Sequence, residues 1–212
     1  MDFQEFLKFV PKIMEVTLPA KEAHYKMVPF ERILKMESLE INSLNPKKAA
    51  VMMLFYPKKG RTHLVLIVRN SYEGVHSAQI AFPGGKFEPE DQTYEITALR
   101  ETHEEIGIHP NSIEILRSFT HLYIQPSNFL VYPFLGICKE EVLFIPDKNE
   151  VTEIIELPIS VFLGEDVVVS VSISTSYANN IIVPAFKIGE HIVWGATAMM
   201  LSELKEVLKK VL

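Results

Sequence analysis

GGKFEPEDQTYEITALRETHEEIGI, Gly84 to Ile108, is the stretch on which the reading of this chain turns. Its second half, Thr93 to Ile106, reads as a helix closed by Gly107, a residue that enters the left-handed stop conformation without strain. On that helix Glu101, Glu104 and Glu105 are spaced i, i+3, i+4. At about 100° per residue they share roughly a third of the circumference, leaving Ile96, Leu99 and Ile106 opposite as the expected core face. Like charges at this spacing repel by roughly 0.2–0.5 kcal/mol per pair. Two things offset such repulsion: solvent together with Arg100, or a divalent cation. Hard carboxylate oxygens on a rigid helix suit Mg²⁺ or Mn²⁺, which keep positions for water and substrate phosphates.

The rest of the chain narrows the setting. It has 212 residues, 48% of them apolar and 23% charged, enough for one sizeable core. A net charge of −6 argues against a nucleic-acid partner, which needs a basic surface. An anionic small molecule stays compatible, because a metal and local cations reverse the sign within one pocket. The single cysteine, Cys138, sits in an apolar run and reads as a small buried hydrophobe, in keeping with a reducing cytoplasm. MDFQEFLKFV carries acidic residues where a secretory signal has basic ones, and AAVMMLFY and LVLIV are too short to span a bilayer. A cytoplasmic protein with no membrane partner is expected.

Working outward, Asp2–Met14 has helical apolar spacing, kinked or split at Pro11, and a short helix is expected near Pro29–Met36. Ala49–Phe55 and His63–Arg69 read as strands, Asn70–Gly85 as a loop, and Ser112–Ile124 and Leu130–Cys138 as strands. Glu150–Glu156 is a further strand, followed by a short helix over Pro158–Leu163. Val167–Ser174, Ile181–Phe186 and His191–Val193 form a meander. Thr197–Val211 closes the chain as an amphipathic helix with Met200, Leu201, Leu204, Val207, Leu208 and Val211 inward. Interleaved strands and helices predict one α/β domain, with helices on both sides of a mixed sheet. Residues 1–45 are expected as a helical extension packed on a domain spanning 46–212, and their apolar face either covers the core or serves a homodimer.

Gly84–Ile108 resembles the Nudix box, a loop–helix–loop in which Gly85, Arg100, Glu101, Glu104, Glu105, Gly107 and Ile108 match. Thr102 stands where an aliphatic residue is usual. The distance from Gly85 to Arg100 is one residue longer than in the commonest form, so Asp91 takes the first acidic position with shifted spacing. LVLIVRNSYEGVHSAQIAFPGGK, Leu64–Lys86, resembles the motif that precedes the box in the coenzyme A diphosphatases, with Arg69, Gln79, Phe82, Pro83, Gly84, Gly85 and Lys86 matching. Gly74 and Ala78 depart from it, replacing an arginine and a glycine. Tyr123–Gly136, Pro146–Leu163 and Ile192–Leu201 look like later blocks of the same branch.

The resemblance implies a Nudix fold, an α/β/α sandwich with a mixed β-sheet, and metal-dependent hydrolysis of a nucleoside diphosphate-linked substrate. For this branch the substrate is coenzyme A or acyl-CoA, cleaved to 3′,5′-ADP and (acyl-)4′-phosphopantetheine. Alternatives are another nucleotide diphosphate (ADP-ribose, NADH, a dinucleoside polyphosphate) or a non-catalytic Nudix binding module. Glu101 and Glu105 are expected as principal ligands of Mg²⁺ or Mn²⁺, with Glu104 a third or water-mediated one. Arg100 is expected to pair with a box glutamate and fix its rotamer. The general base is sought among Glu153, Glu150 and the box glutamates. Arg69, Gln79 and Lys86 are candidate substrate contacts, with the Gly84–Gly85 backbone close to the metal. His103 is expected on the core-side flank of the helix, His76 and His121 outside the catalytic set, and Trp194 in the core.

Overall fold

The computed structural model describes residues 1–37, 40–70, 79–175 and 178–212. In chain order its elements are α1 (Phe3–Leu7), α2 (Val10–Glu15), α3 (Lys21–Tyr25), α4 (Phe30–Glu37), β1 (Lys47–Lys58), β2 (Arg61–Arg69), β3 (Ile80–Ala81), β4 (Gly84–Lys86) and α5 (Tyr94–Ile106). They continue with β5 (Glu114–Ser118), β6 (Leu122–Ile124), β7 (Phe129–Ile137), β8 (Val151–Pro158), α6 (Ile159–Phe162), β9 (Val168–Thr175), β10 (Ala178–Ile188), β11 (His191–Val193) and α7 (Gly195–Val211).

AAVMMLFY is unbroken apolar sequence because β1 is covered on both faces. Ala49, Met53 and Phe55 enter one core, while Ala50, Met52, Leu54 and Tyr56 enter another. β2 divides in the same way, Leu64 and Leu66 to the first and Val65 and Ile67 to the second. The path β3-β2-β1-β7-β5 carries side branches: β4 on β1, β6 on β7 and β8 on β2. β1 and β7 are parallel and the other pairings antiparallel, so the eight-stranded sheet is mixed. α5 covers the second core; α7 with Phe3, Phe6 and Ile13 of the N-terminal helices covers the first. This is an α/β/α sandwich. β9, β10 and β11 form a separate antiparallel sheet.

At Pro11 the N-terminal helical segment is split, as one of the two expected outcomes: Pro11 lies in the first turn of α2, where no backbone N–H is needed. Two local expectations change. Ser112–Ile124 is two strands, because Thr120 leaves the sheet to bond Glu203. Within Asn70–Gly85 the described part contributes β3 and the start of β4.

Glu203 of α7 is buried, and its carboxylate ties the extension down. It accepts hydrogen bonds from Ala20 N (3.0 Å), Thr120 N (3.2 Å) and Thr120 Oγ1 (2.6 Å), and His24 Nε2 lies 3.3 Å away. On the sheet side, Arg117 Nη1 donates to the last carbonyls of α2, Ile13 O (2.9 Å) and Val16 O (2.8 Å). Truncating the shared acceptor orphans several buried donors at once. Glu203→Ala should therefore destabilise the fold by about 3–5 kcal/mol, measured by urea unfolding beside an exposed control, Glu190→Ala. Equal midpoints for the two variants would show that the hub does not hold the extension.

Candidate active site

Thr93 caps the start of α5 through Ile96 N, and Gly107 ends it with φ +78°, donating to His103 O. The expected core face needs correction. Ile96 is 41% exposed, whereas Thr97, Ala98, Thr102, Glu105 and Ile106 are buried. α5 lies against β4, where Gly84 and Gly85 leave room for carboxylates, so one glutamate faces inward. Thr102 fits its apolar slot because its hydroxyl donates to Ala98 O at 2.6 Å. His103 is exposed beside His109 and not on the core-side flank.

Glu105 is fully buried. Its carboxylate accepts from Arg69 Nη1 (2.9 Å) and from Gly84 N (2.8 Å), joining α5 to β2 and β4. Burial pushes its carboxyl up to about 7, against the lowering by Arg69 and the Gly84 N–H, and the charges of Glu101 and Glu150 add to the rise. Burial likewise raises Glu101, opposed by Arg100. Gly85 leaves the space the Glu101 carboxylate occupies: a Cβ there would force that carboxylate to shift.

Arg100 organises the outer side. It grips Asp91 through Nε (2.7 Å) and Nη2 (3.0 Å), and reaches Glu101 (3.0 Å), Glu104 (2.8 Å) and Lys86 O (3.1 Å). Asp91, whose shifted spacing left its role open, is the buried anchor of that clasp. The Arg100 guanidinium holds its carboxyl down at about 2, and Glu88 N and Thr97 Oγ1 also donate to it. Glu104 is more than half exposed and turned to Arg100. The three glutamates thus do not form one cage; among the described residues no group of three His, Cys, Asp or Glu side chains is gathered to hold a metal. What Glu101 and Glu105 offer is two desolvated carboxylates, the first of which raises the proton affinity of the second, beside a close glycine backbone. That fits a hard cation taking two carboxylates and completing its shell with water or phosphate.

The strand-edge acids separate. A bulge in β8 sets Val68 opposite Glu153 but Arg69 opposite Val151, with Thr152 extra and its hydroxyl on Val68 O. Val151 joins the core under α5, whereas Ile155 and Leu157 join the core under α7. Glu153 alternates with these last two and meets His191 Nε2 at 3.1 Å, so it lies away from the box. Glu150, before the bulge, is the outside carboxylate whose charge acts on Glu101 and Glu105. Of the two candidate acids, Glu150 is thus the one whose charge reaches the box glutamates, and Glu153 is the one paired with His191.

A cavity of about 1320 Å³ adjoins the box loop on the other side of β4. Arg69, Gln79, Gly84, Gly85 and Lys86 all line it, and no box glutamate does. Lys86 pairs with Ala49, which faces the first core, so its ammonium points to the cavity side. Trp194 is half-buried and lines the cavity instead of the core, and exposed His121 lines it too. Much of the opposite wall is apolar: Met27, Met36 and Ile41 from the extension, with Ile181, Val183 and Met199. Sequence patterning had no means of finding this wall, since its residues are distant in the chain. Gly74, His76 and Ala78 lie outside the described residues.

The raised Glu105 carboxyl has a sign that can be tested in metal-free protein. The folded state holds this proton more tightly than the unfolded chain, whose value is 4.5. The contribution to stability is full below about 4.5 and is lost as pH rises through about 7. Chelator-treated parent should lose more unfolding free energy between pH 5 and pH 8 than Glu105→Gln does. Parallel curves would contradict the assignment.

Residues 46–167 match the NUDIX domain. Nudix hydrolase 22, chloroplastic, of Arabidopsis thaliana is 31% identical over 171 residues, covering 78% of this chain and 56% of that protein. The peroxisomal coenzyme A diphosphatase NUDT7 of Mus musculus is 32% identical over 126 residues, covering 58% of this chain and 52% of that protein. The chain therefore spans about half the length of these curated relatives. Among solved structures, the Nudix hydrolase RenU of M. smegmatis superposes with a TM-score of 0.54 at 16% identity, covering 79% of this chain and 88% of that one, a likeness of fold alone. With the family match covering more than half of its residues, the chain belongs to the Nudix family.

Proposed function

We propose that this protein hydrolyses the phosphoanhydride of coenzyme A or an acyl-CoA, releasing 3′,5′-ADP and (acyl-)4′-phosphopantetheine. The observation that carries the reading is the junction at Gly84–Gly85–Lys86. On one side of it lie two desolvated carboxylates; on the other, a cavity with cations near the box and an apolar far wall. Such a site suits a ligand with a charged diphosphate and a long arm of low polarity. The match of Arg69, Gln79 and Phe82–Lys86 to the coenzyme A motif supports the same choice, as does the printed name of the mouse relative.

A bound Mg²⁺ or Mn²⁺ would neutralise the diphosphate and make its water more acidic. Glu101 and Glu105 would hold the ion, with Glu104 reaching it at most through water. Arg100 fixes the Glu101 rotamer while Asp91 anchors the guanidinium. Glu150 accepts the proton of the attacking water; the new P–O bond forms as the anhydride P–O bond breaks, and the leaving phosphate takes the electron pair. Arg69 already shares its charge with Glu105 and Gly84 O, so Lys86 carries more of the phosphate recognition. Gln79 lines the same cavity and supplies an amide. Residues 1–45 complete the cavity wall as an extension of the 46–212 domain. No described helix is long and apolar enough to cross a membrane; a cytoplasmic site of action is part of this reading, in keeping with the single buried thiol Cys138.

The catalytic assignment is tested by three substitutions. Glu105→Gln and Glu150→Gln should each lower kcat by about 10²-fold or more, with circular dichroism unchanged. Glu153→Gln should keep kcat close to the parent. If Glu153→Gln loses activity and Glu150→Gln does not, the assignment is reversed.

Substrate choice is tested with coenzyme A, dephospho-coenzyme A, ADP-ribose and NADH in Mg²⁺ and Mn²⁺, products identified by mass. Coenzyme A should exceed dephospho-coenzyme A in kcat/KM by about tenfold, the equivalent of about 1.4 kcal/mol from one ion pair. Lys86→Ala should narrow that gap. Faster turnover of ADP-ribose than of both would remove coenzyme A as substrate and leave another Nudix hydrolase activity.

A further inference from the structure

Glu150 comes from an irregular strap, and its position depends on what pins that strap. Two sets of hydrogen bonds do so. At the end of α5, Ile145 N donates to Ile106 O (2.9 Å) and Asp147 N to Glu105 O (3.1 Å). Ile145 also packs on Gly107, where a Cβ would come within 2.7 Å of the Ile145 Cβ. The turn after it is closed locally. Asp147 Oδ1 accepts from Asn149 N and Asn149 Nδ2, both 2.9 Å, and Asp147 O accepts from Glu150 N (3.0 Å) and Val151 N (2.8 Å).

The second set comes from one residue at the end of β2. Asn70 N donates to Glu150 O at 2.7 Å. The Asn70 Nδ2 donates to Asn149 O (3.1 Å) and Lys148 O (3.4 Å). Its neighbour Arg69 holds the Glu105 side chain. Two adjacent residues at the end of β2 therefore hold the box glutamate and the strap, Arg69 the Glu105 carboxylate and Asn70 the backbone of residues 148–150. Past the bulge at Thr152 the pairing of β8 with β2 resumes at Arg69–Val151, and the Asn70 N–H on Glu150 O extends it by one backbone bond into the strap.

We propose that Asn70 is a positioning residue that sets the place of Glu150 relative to Glu101 and Glu105. Its side chain acts on Glu150 through the strap backbone, at Lys148 O and Asn149 O. The inference rests on the hydrolase reading above for its kinetic arm, and a metal-binding arm stands apart from turnover. Losing the side-chain amide removes its hold on Lys148 O and Asn149 O and leaves the Asn70 N–H on Glu150 O, so the fold survives while the turn that carries the Glu150 carboxylate loosens.

The test is a double-mutant cycle with Asn70→Ala and Glu150→Gln. Asn70→Asp serves as a second variant of equal size that keeps the backbone donor and loses the side-chain donors. Both Asn70 variants should lower kcat by about 10- to 100-fold, with KM nearly unchanged and melting temperature close to the parent. In the Glu150→Gln background Asn70→Ala should add nothing. Mn²⁺ titration followed by electron paramagnetic resonance reads the same coupling without substrate: Asn70→Ala weakens binding when Glu150 is present and leaves it unchanged in Glu150→Gln. An active parent with unaltered kcat in both Asn70 variants overturns the proposal while leaving the hydrolase reading intact. Additive losses overturn it too, because Asn70 would then act by another route. If Asn70→Ala unfolds, the cycle is run with Asn70→Asp and the same outcomes decide. A parent inactive on every substrate removes the hydrolase reading, and the Mn²⁺ cycle alone then decides the role of Asn70.

Discussion

One buried carboxylate governs the arrangement of this molecule. Glu105 has no exposed surface, yet it sits on the helix that would bring charge to a substrate. A buried carboxylate without partners is strongly unfavourable. The sheet answers with Arg69 from β2 and the Gly84 amide from β4. Each answer constrains sequence. Gly84 holds φ +153°, and a Cβ there would run into the Ala50 carbonyl and the Val51 backbone. Gly85 leaves the space that the Glu101 carboxylate occupies. The Gly-Gly pair is thus a spacer that lets a carboxylate-bearing helix approach a strand, and its conformation follows from that approach. Even so the charge is incompletely compensated, and the residual demand for positive charge is what a divalent cation would meet.

The sheet's double-sided burial explains why two acids three residues apart part company. Strand side chains alternate with period two, so Glu150 and Glu153 would fall on opposite faces of a regular strand. The strand is not regular at this point, because Thr152 bulges and Val151 goes to the face that Glu153 does not share. Which acid meets the box is then settled by the strap that precedes the strand. Its backbone donors satisfy the last carbonyls of α5, groups that a helix end otherwise leaves to solvent. Ending the box helix and delivering a carboxylate to it are one structural event.

The parts legible in sequence were those with local physics. The helix from Thr93 to Gly107 has its cap and its stop in neighbouring residues. β1 and β2 announce two-sided burial by unbroken apolar runs, and from these the layered α/β architecture follows. The inward turn of Glu105 was hidden, because helical periodicity averaged over Ile96, Leu99 and Ile106 says nothing about a pair of glycines that removes the steric reason for polar residues to face out. Glu150 and Glu153 are not separable in sequence, because a one-residue bulge leaves no mark in composition. Trp194 was read as core for a related reason: it caps α7 where two distant segments fail to close, and that gap is the cavity.

That gap divides the labour along the chain. The matched family segment, residues 46–167, supplies the carboxylates, the Arg100 clasp and the glycine junction. The wall facing them is built largely from outside it, by Met27, Met36 and Ile41 of the extension and by Ile181, Val183 and Met199. These pieces are held together by the Glu203 hub, whose donors Ala20 and Thr120 and whose neighbour His24 also line the cavity. Chemistry at a phosphoanhydride needs the same few charges whatever is attached to it, while recognition of the attached group needs a shaped surface. A scaffold that keeps the charges on β4 and α5 and builds the surface from its ends can change the second without disturbing the first. The coupling runs through β4, whose Gly85 faces Glu101 and whose Lys86 faces the cavity, and through Arg69 of β2, which lines the cavity and bonds Glu105. The wall built by the outer segments of the chain therefore meets the carboxylates at Arg69 and the glycine junction.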